Sequence, residues 1–195
     1  MNIPKLGAAV PQRGNIISRA TGKVLMKAMG GWDFEGTLPN LPKFVIIGAP
    51  HTSNWDFLLA MAAVFAAGFR FHWIGKHTIF RWPFGPFMRW LGGIPVDRNA
   101  SQGVVEQVVD EYQRRDRFVV GIAPEGTRKK VERWKTGFYR IACDAGVPIV
   151  LAYLDYARKI IGFGPIFEPT GNLEADLAHL RAFFNTFKGK KPEQF

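Results

Sequence analysis

Three short runs in this chain are apolar almost throughout: FVIIGAP at 44–50, RFVVGIAP at 117–124 and VPIVLAYL at 147–154. A strand with one wet face alternates apolar and polar residues. These runs do not alternate, so they read as strands covered on both faces. Helical patterns separate them. Residues 54–67 read as a helix, and 104–115 places Val104, Val105, Val108, Val109 and Tyr112 on one face of another. GFYRIACDAG is helical and stops at Gly146, and 173–187 closes the chain as an amphipathic helix started by Asn172 or Gly171. FHWIG and 94–96 are further strand candidates, KIIGFGPIF is a strand or hairpin, and a short helix fits between Pro83 and Leu91. The turn-rich EGTLPNLPK leads into the first buried strand. Buried strands alternating with helices predict an α/β fold, a single domain with a mostly parallel central sheet covered by helices.

Residues 1–35 form a separate N-terminal segment ahead of the 36–195 domain. Its helix, 14–30, repeats Ile16, Ile17, Ala20, Val24, Leu25, Ala28 and Met29 near helical spacing, with Arg19, Lys23 and Lys27 elsewhere on the wheel. Gly30 and Gly31 end it. Such a basic amphipathic helix either packs on its own domain or lies in a membrane interface. The N-terminus lacks the long apolar core of a secretory signal, and the longest apolar run, 57–69, is too short to span a bilayer. The lone cysteine, Cys143, rules out an internal disulfide framework and a multi-cysteine zinc site; it falls in an apolar helical stretch and is expected to be buried and inert.

The formal net charge of +10 favours anionic partners: nucleic acid, anionic lipid or phosphorylated small molecules. Between 69 and 90, FRFHWIGKHTIFRWPFGPFMRW interleaves aromatic and basic residues. That pattern suits a lipid interface or stacking on single-stranded nucleic acid. No helix-turn-helix, RNP or zinc pattern accompanies it, so no nucleic-acid partner is expected.

His51 follows a buried strand directly and falls at that strand's carboxyl end, where functional groups of α/β sheets gather. In HTSNWD, Ser53 and Asp56 fit an N-cap and the N3 position of a capping box. Side chains of a helix lean towards its N-terminus, so Asp56 also leans back towards His51. A carboxylate there can hold an imidazole in one tautomer and stabilise its protonated form, which makes a general base. APEGTRKK also follows a buried strand. Arg128 offers a planar fork for a phosphate, Gly126 allows close backbone approach, and Glu125 can orient Arg128 or accept a substrate hydroxyl. GGIPVDR puts Arg98 at a third strand end. Two arginines and a His–Asp pair on one sheet edge suggest a base aimed at a hydroxyl of a phosphorylated molecule.

In these blocks the chain resembles the glycerolipid acyltransferases of the 1-acylglycerol-3-phosphate acyltransferase type. HTSNWD matches that family's His-x4-Asp block, GGIPVDR its second, EGTR its third and VPIVLAYL its fourth, in the family's order. The resemblance implies that His51 takes the proton from a free hydroxyl of a lysophospholipid, by default 1-acylglycerol-3-phosphate, and that Asp56 orients His51. The alkoxide then attacks the thioester of acyl-CoA or acyl-carrier protein. It also implies that Arg98 and Arg128 bind phosphate, that Glu125, Gly126 and Thr127 shape the acceptor site, and that Pro148 helps form the acyl-donor region. No metal and no bound cofactor are implied. With only the 14–30 helix at its N-terminus, the chain is expected to be a cytoplasmic protein held peripherally at the inner face of an anionic membrane. The acceptor can equally be another lysolipid or an amphipathic alcohol. Rival readings are a phosphatase or thioesterase using the same base on water, and a basic nucleic-acid- or lipid-binding module without catalysis. Lys76 and Lys135 read as surface lysines, His72 and His77 as core or interface residues, His179 as exposed, and Ser53 as a cap rather than a nucleophile.

Overall fold

The computed structural model describes residues 1–97 and 103–195. In chain order its main elements are α1 (Ile16–Ala28), β1 (Asp33–Glu35), β2 (Lys43–Gly48), α2 (Asn54–Ala67), β3 (His72–Lys76), α3 (Gly85–Trp90) and β4 (Gly93–Val96). They continue with α4 (Val104–Arg114), β5 (Phe118–Ile122), α5 (Gly137–Ala145), β6 (Ile149–Asp155), β7 (Ile160–Phe167) and α6 (Leu173–Phe184). Among the described residues seven strands form one sheet in the order β1-β7-β6-β2-β5-β3-β4. From β6 to β4 every neighbouring pair is parallel; β7 runs antiparallel to β6 and parallel to β1. The fold is thus the α/β domain with a mostly parallel sheet that the apolar runs predict.

The three apolar runs are β2, β5 and β6, side by side in the middle of the sheet. Because strand side chains alternate, Phe44 and Ile46 join the core on one face, together with Val119 and Val150. Val45 and Ile47 join the other core with Phe118, Val120, Ile149 and Leu151. α2 covers the first face, and α4, α5 and α6 cover the second through Val108, Tyr112, Phe138, Ile141, Leu180 and Phe184. Each of these large side chains that is wholly buried contributes roughly 1.5–3 kcal/mol. Five parallel strands therefore deliver their carboxyl ends to one edge of a rigid sheet.

α1 packs along α2. Gly22 sits so close that a Cβ there would lie 2.3 Å from the Ala66 amide nitrogen and 2.6 Å from the Ala62 carbonyl oxygen, so only glycine permits the approach. Met26 is buried in the same contact, while Ile16, Ile17, Val24 and Leu25 remain exposed. The helix both packs on its own domain and keeps an apolar outer face. Among the described residues no helix is long and apolar enough to cross a membrane.

Two sequence expectations change, and one strand has no counterpart in the sequence pattern. Cys143 is exposed, not buried: the buried stripe of α5 runs through Phe138, Ile141 and Ala142, and Cys143 turns off it. α6 ends at Phe184, short of 187, because Phe187 leaves the helical path to stack on Tyr153 with centroids 3.6 Å apart. β1 was not anticipated; three residues are too few to show a period, and the strand exists by pairing with β7.

Candidate active site

At the carboxyl edge of β2 the chain turns through Pro50 and His51 into α2. Ser53 caps that helix and Asp56 completes the capping box at N3. Asp56 is only 2% exposed. Its Oδ2 accepts the backbone amides of Thr52 and Ser53, each at 2.8 Å, and lies 3.3 Å from His51 Nδ1. The cap and the His–Asp pair are therefore one structure. Burial opposes ionisation of Asp56, but hydrogen bonds from His51, Tyr156 and the Ser53 amide outweigh it and hold the carboxyl below the usual carboxylate range. With Nδ1 turned to an ionised carboxylate, Nε2 is the nitrogen left to take a proton from a substrate.

β5 delivers Glu125 beside this corner. The residue is buried, and its Oε1 accepts the His51 backbone amide at 2.9 Å. Oε2 finds no hydrogen-bond partner among the described residues. Burial pushes the Glu125 carboxyl up to about 7, against the pull of the His51 amide. Glu125 therefore fixes the backbone of His51; it makes no ion pair with Arg128, which was one of the roles its sequence position allowed. Gly126 turns at φ 64°, and the Lys135 side chain lies where its Cβ would be. Gly126, Thr127 and Arg128 are exposed, and Thr127 Oγ1 accepts the Lys129 amide at 3.4 Å.

A cavity of about 750 Å³ meets the site. His51, Asp56, Thr127, Arg128 and Lys135 line it at the sheet's carboxyl edge, and apolar side chains line the remainder. On α2 the lining includes Phe57, Ala60, Met61, Ala63, Val64 and Ala67, one face of the helix. From Asp56 to Ala67 that face is about 16 Å long at 1.5 Å per residue. Its floor includes Gly48, Gly121 and Ala152, and Phe69 and Leu38 lie towards the far end. Small residues on both helix and sheet leave the space open.

The structure thus brings His51, Asp56, Glu125, Gly126, Thr127 and Arg128 to one edge. Lys135, read as a surface lysine, is exposed but lines the cavity. Arg98 lies outside the described residues. Pro148 precedes β6 and its carbonyl accepts the Val45 amide at the opposite, amino end of β2, so it is not brought together with His51. His72 is buried, with Nδ1 3.2 Å from the Val119 carbonyl, and His77 Nδ1 lies 3.4 Å from Asp97. His179 is exposed and stacks on Phe167.

Two contributors were missed by sequence reasoning. Tyr156, just past β6, donates its hydroxyl to Asp56 Oδ1 at 2.7 Å across 100 residues of chain. The C-terminal tail also reaches the site: the Lys191 amide donates to Thr52 Oγ1 at 3.1 Å. With its amide nitrogen turned towards them, Gln194 donates to the carbonyls of Thr52, at 3.1 Å, and Arg128, at 2.6 Å. No local spacing announces either contact. The one signal for Tyr156 is its place directly after a buried strand, as for His51 and Glu125.

The His51–Asp56 pair thus stands at the edge of a long, mostly apolar cavity whose rim carries Arg128 and Lys135. A model of the acyltransferase family matches residues 34–154, more than half of the chain, and the chain belongs to that family. Its fold is similar to the crystal structure of the 1-acyl-sn-glycerophosphate (LPA) acyltransferase, PlsC, from Thermotoga maritima. The two share 18% sequence identity and a TM-score of 0.60, over 86% of this chain and 75% of that one. Comparison with curated proteins returned no match.

Proposed function

We propose that this acyltransferase moves a fatty acyl group from acyl-CoA or acyl-carrier protein to the free hydroxyl of a lysophospholipid, with 1-acylglycerol-3-phosphate the first candidate acceptor. The observation that carries this reading is the His51–Asp56 pair, 3.3 Å apart, at the cationic end of the apolar cavity. His51 Nε2 takes the proton of the acceptor hydroxyl, and the oxygen adds to the thioester carbonyl. The tetrahedral adduct expels the thiolate, which recovers the proton from the imidazolium. Asp56 stabilises that imidazolium throughout, and general-base help of this kind supplies roughly 10²–10⁴-fold in rate. Arg128 and Lys135 give the acceptor phosphate its counter-charges, and the lining face of α2 takes the acyl chain. Thr127 and Gly126 shape the same rim. The donor is a co-substrate; the reading assigns no resident cofactor or metal.

Two exposed apolar surfaces support action at an anionic membrane. Trp82, Phe84, Phe87 and Trp90 around α3 are between 52% and 88% exposed, and Ile16 and Ile17 on α1 are 86% and 74% exposed. Beside the first of them, Arg13 donates to the Trp90 carbonyl at 2.9 Å and lies over the rings of Phe65 and Trp90. Aromatic residues with arginines beside them suit headgroup depth, and the net charge of +10 favours anionic lipid. The expected place is the cytoplasmic face of the membrane, by peripheral contact.

The test is an acceptor panel with one acyl thioester, products identified by mass. Lysophosphatidate should gain one acyl group. Thioester loss that ignores the acceptor contradicts transfer and favours a thioesterase. Acylation of a different lysolipid or alcohol in preference to lysophosphatidate would replace the acceptor and keep the chemistry.

A further inference from the structure

We propose that Tyr156 is a positioning residue for the His51–Asp56 pair, setting how strongly Asp56 holds the protonated imidazole; this rests on the His51 general-base reading above. Asp56 has two oxygens with different duties. Oδ2 takes the Thr52 and Ser53 amides and faces His51 Nδ1. Oδ1 is left to Tyr156, whose hydroxyl donates to it at 2.7 Å. In a buried site an unmatched carboxylate oxygen is costly, so the phenol satisfies Oδ1 and adds to the hold that the two amides have on the carboxylate's rotation.

The phenol is itself built into place. The Trp32 ring meets the Tyr156 ring edge-on, with centroids 4.7 Å apart at 84°. The Tyr156 backbone amide donates to the Lys188 carbonyl at 2.9 Å, which anchors the residue to the C-terminal tail. Burial and the Asp56 charge raise the phenol far above its usual range, so it remains a donor at every pH at which the protein works. Each hydrogen bond to a carboxylate makes it a weaker base. Tyr156 therefore helps hold Asp56 in register with His51 and also keeps it from trapping the imidazole in its protonated form.

Other charges share the site. Glu125 after β5 holds the His51 amide, and Arg128 and Lys135 on the loop that follows it line the same cavity. Burial pushes the Glu125 carboxyl up to about 7, in the range where a histidine titrates, so its effect must be separated from that of Tyr156.

Tyr156→Phe removes the hydroxyl and keeps the ring against Trp32. The first readout is the NMR titration of the His51 ring, identified among the 4 histidines by its loss in His51→Ala. This needs no substrate, so it scores the proposal even if the transferase reading fails. That failure would appear separately, as no acyl transfer by the unaltered protein. We expect the His51 midpoint to rise by about half a unit or more. We expect kcat to fall about tenfold with KM within about twofold. The same midpoint shift must persist in a Glu125→Gln background. Incorporation of 3-fluorotyrosine at 156, a stronger donor of the same shape, should move the midpoint down and covers the case in which Tyr156→Phe does not fold. An unmoved midpoint in both variants overturns the proposal. So does a shift that disappears without Glu125, or a loss of kcat matched by lost folded protein alone.

Discussion

Two loops leave neighbouring strand ends and are built in opposite ways. In the loop at 51–56 nearly every polar group is engaged: the His51 amide on Glu125, the Thr52 and Ser53 amides on Asp56, the Trp55 amide on Ser53 Oγ, and Thr52 Oγ1 under the Lys191 amide. In the loop at 126–135 the charged side chains stand in solvent, and the backbone is tied at its two ends by Gly126 to Ala123 and Lys135 to Pro124. The difference fits the tasks proposed for them. A general base acts only when its orientation is fixed before the substrate arrives. Cations that receive a phosphate gain by staying hydrated until the anion displaces their water. Substitutions in the first loop should therefore strike turnover, and those in the second should strike acceptor binding.

The largest effect belongs to His51→Ala. Transfer should fall by roughly 10²–10⁴-fold or more while thermal unfolding stays close to that of the parent protein. Near-normal turnover would remove His51 from the base role. Asp56→Asn comes next. An amide cannot stabilise the imidazolium, and its NH₂ or its lost charge weakens the bonds to the Thr52 and Ser53 amides. We expect a large loss of kcat together with a stability loss of roughly 0.5–2 kcal/mol. Lost stability with unchanged kcat would reduce Asp56 to a cap.

Arg128→Ala should raise KM for a phosphate-bearing acceptor by about tenfold with little change in kcat or stability, read by comparing acceptors with and without the phosphate. An equal effect on both acceptors would break the contrast between the loops. A last effect bears on stability and not on turnover: a pH dependence at Glu125. Its folded carboxyl sits near 7, above the usual 4.5, so the folded protein keeps a proton that the unfolded chain gives up. That stabilisation is complete below about pH 4.5 and is lost as pH rises through about 7. Glu125→Gln should flatten this decline in denaturant titrations between those limits. An equally steep decline in the variant would show that Glu125 is not its source.

The fold and half of the site could be read from sequence because their signals are local. Uninterrupted apolar runs mark doubly covered strands, and the five-residue step from His51 to Asp56 is one turn of strand-end and helix start. A capping box and a His–Asp pair need the same geometry, so one pattern announced both. Tyr156 was hidden because it reaches Asp56 only through the pairing of β2 with β6. The cavity was hidden because Ala60, Ala67, Gly121 and Ala152 look like ordinary core residues until the sheet sets them opposite one another. Cys143 misled because its neighbours are apolar, while its own angle on α5 faces water. Pro148 follows the block order of the resemblance, yet parallel pairing puts it at the amino end of the sheet.

The central claim is that His51 directs an acyl group to an acceptor hydroxyl and not to water. The most direct measurement follows thiol release and acyl-ester formation together, with lysophosphatidate present and absent, for the unaltered protein and for His51→Ala. The account predicts one ester formed per thiol released, both requiring the acceptor and both lost with His51. Thiol release without ester, or ester formation that survives His51→Ala, would contradict it.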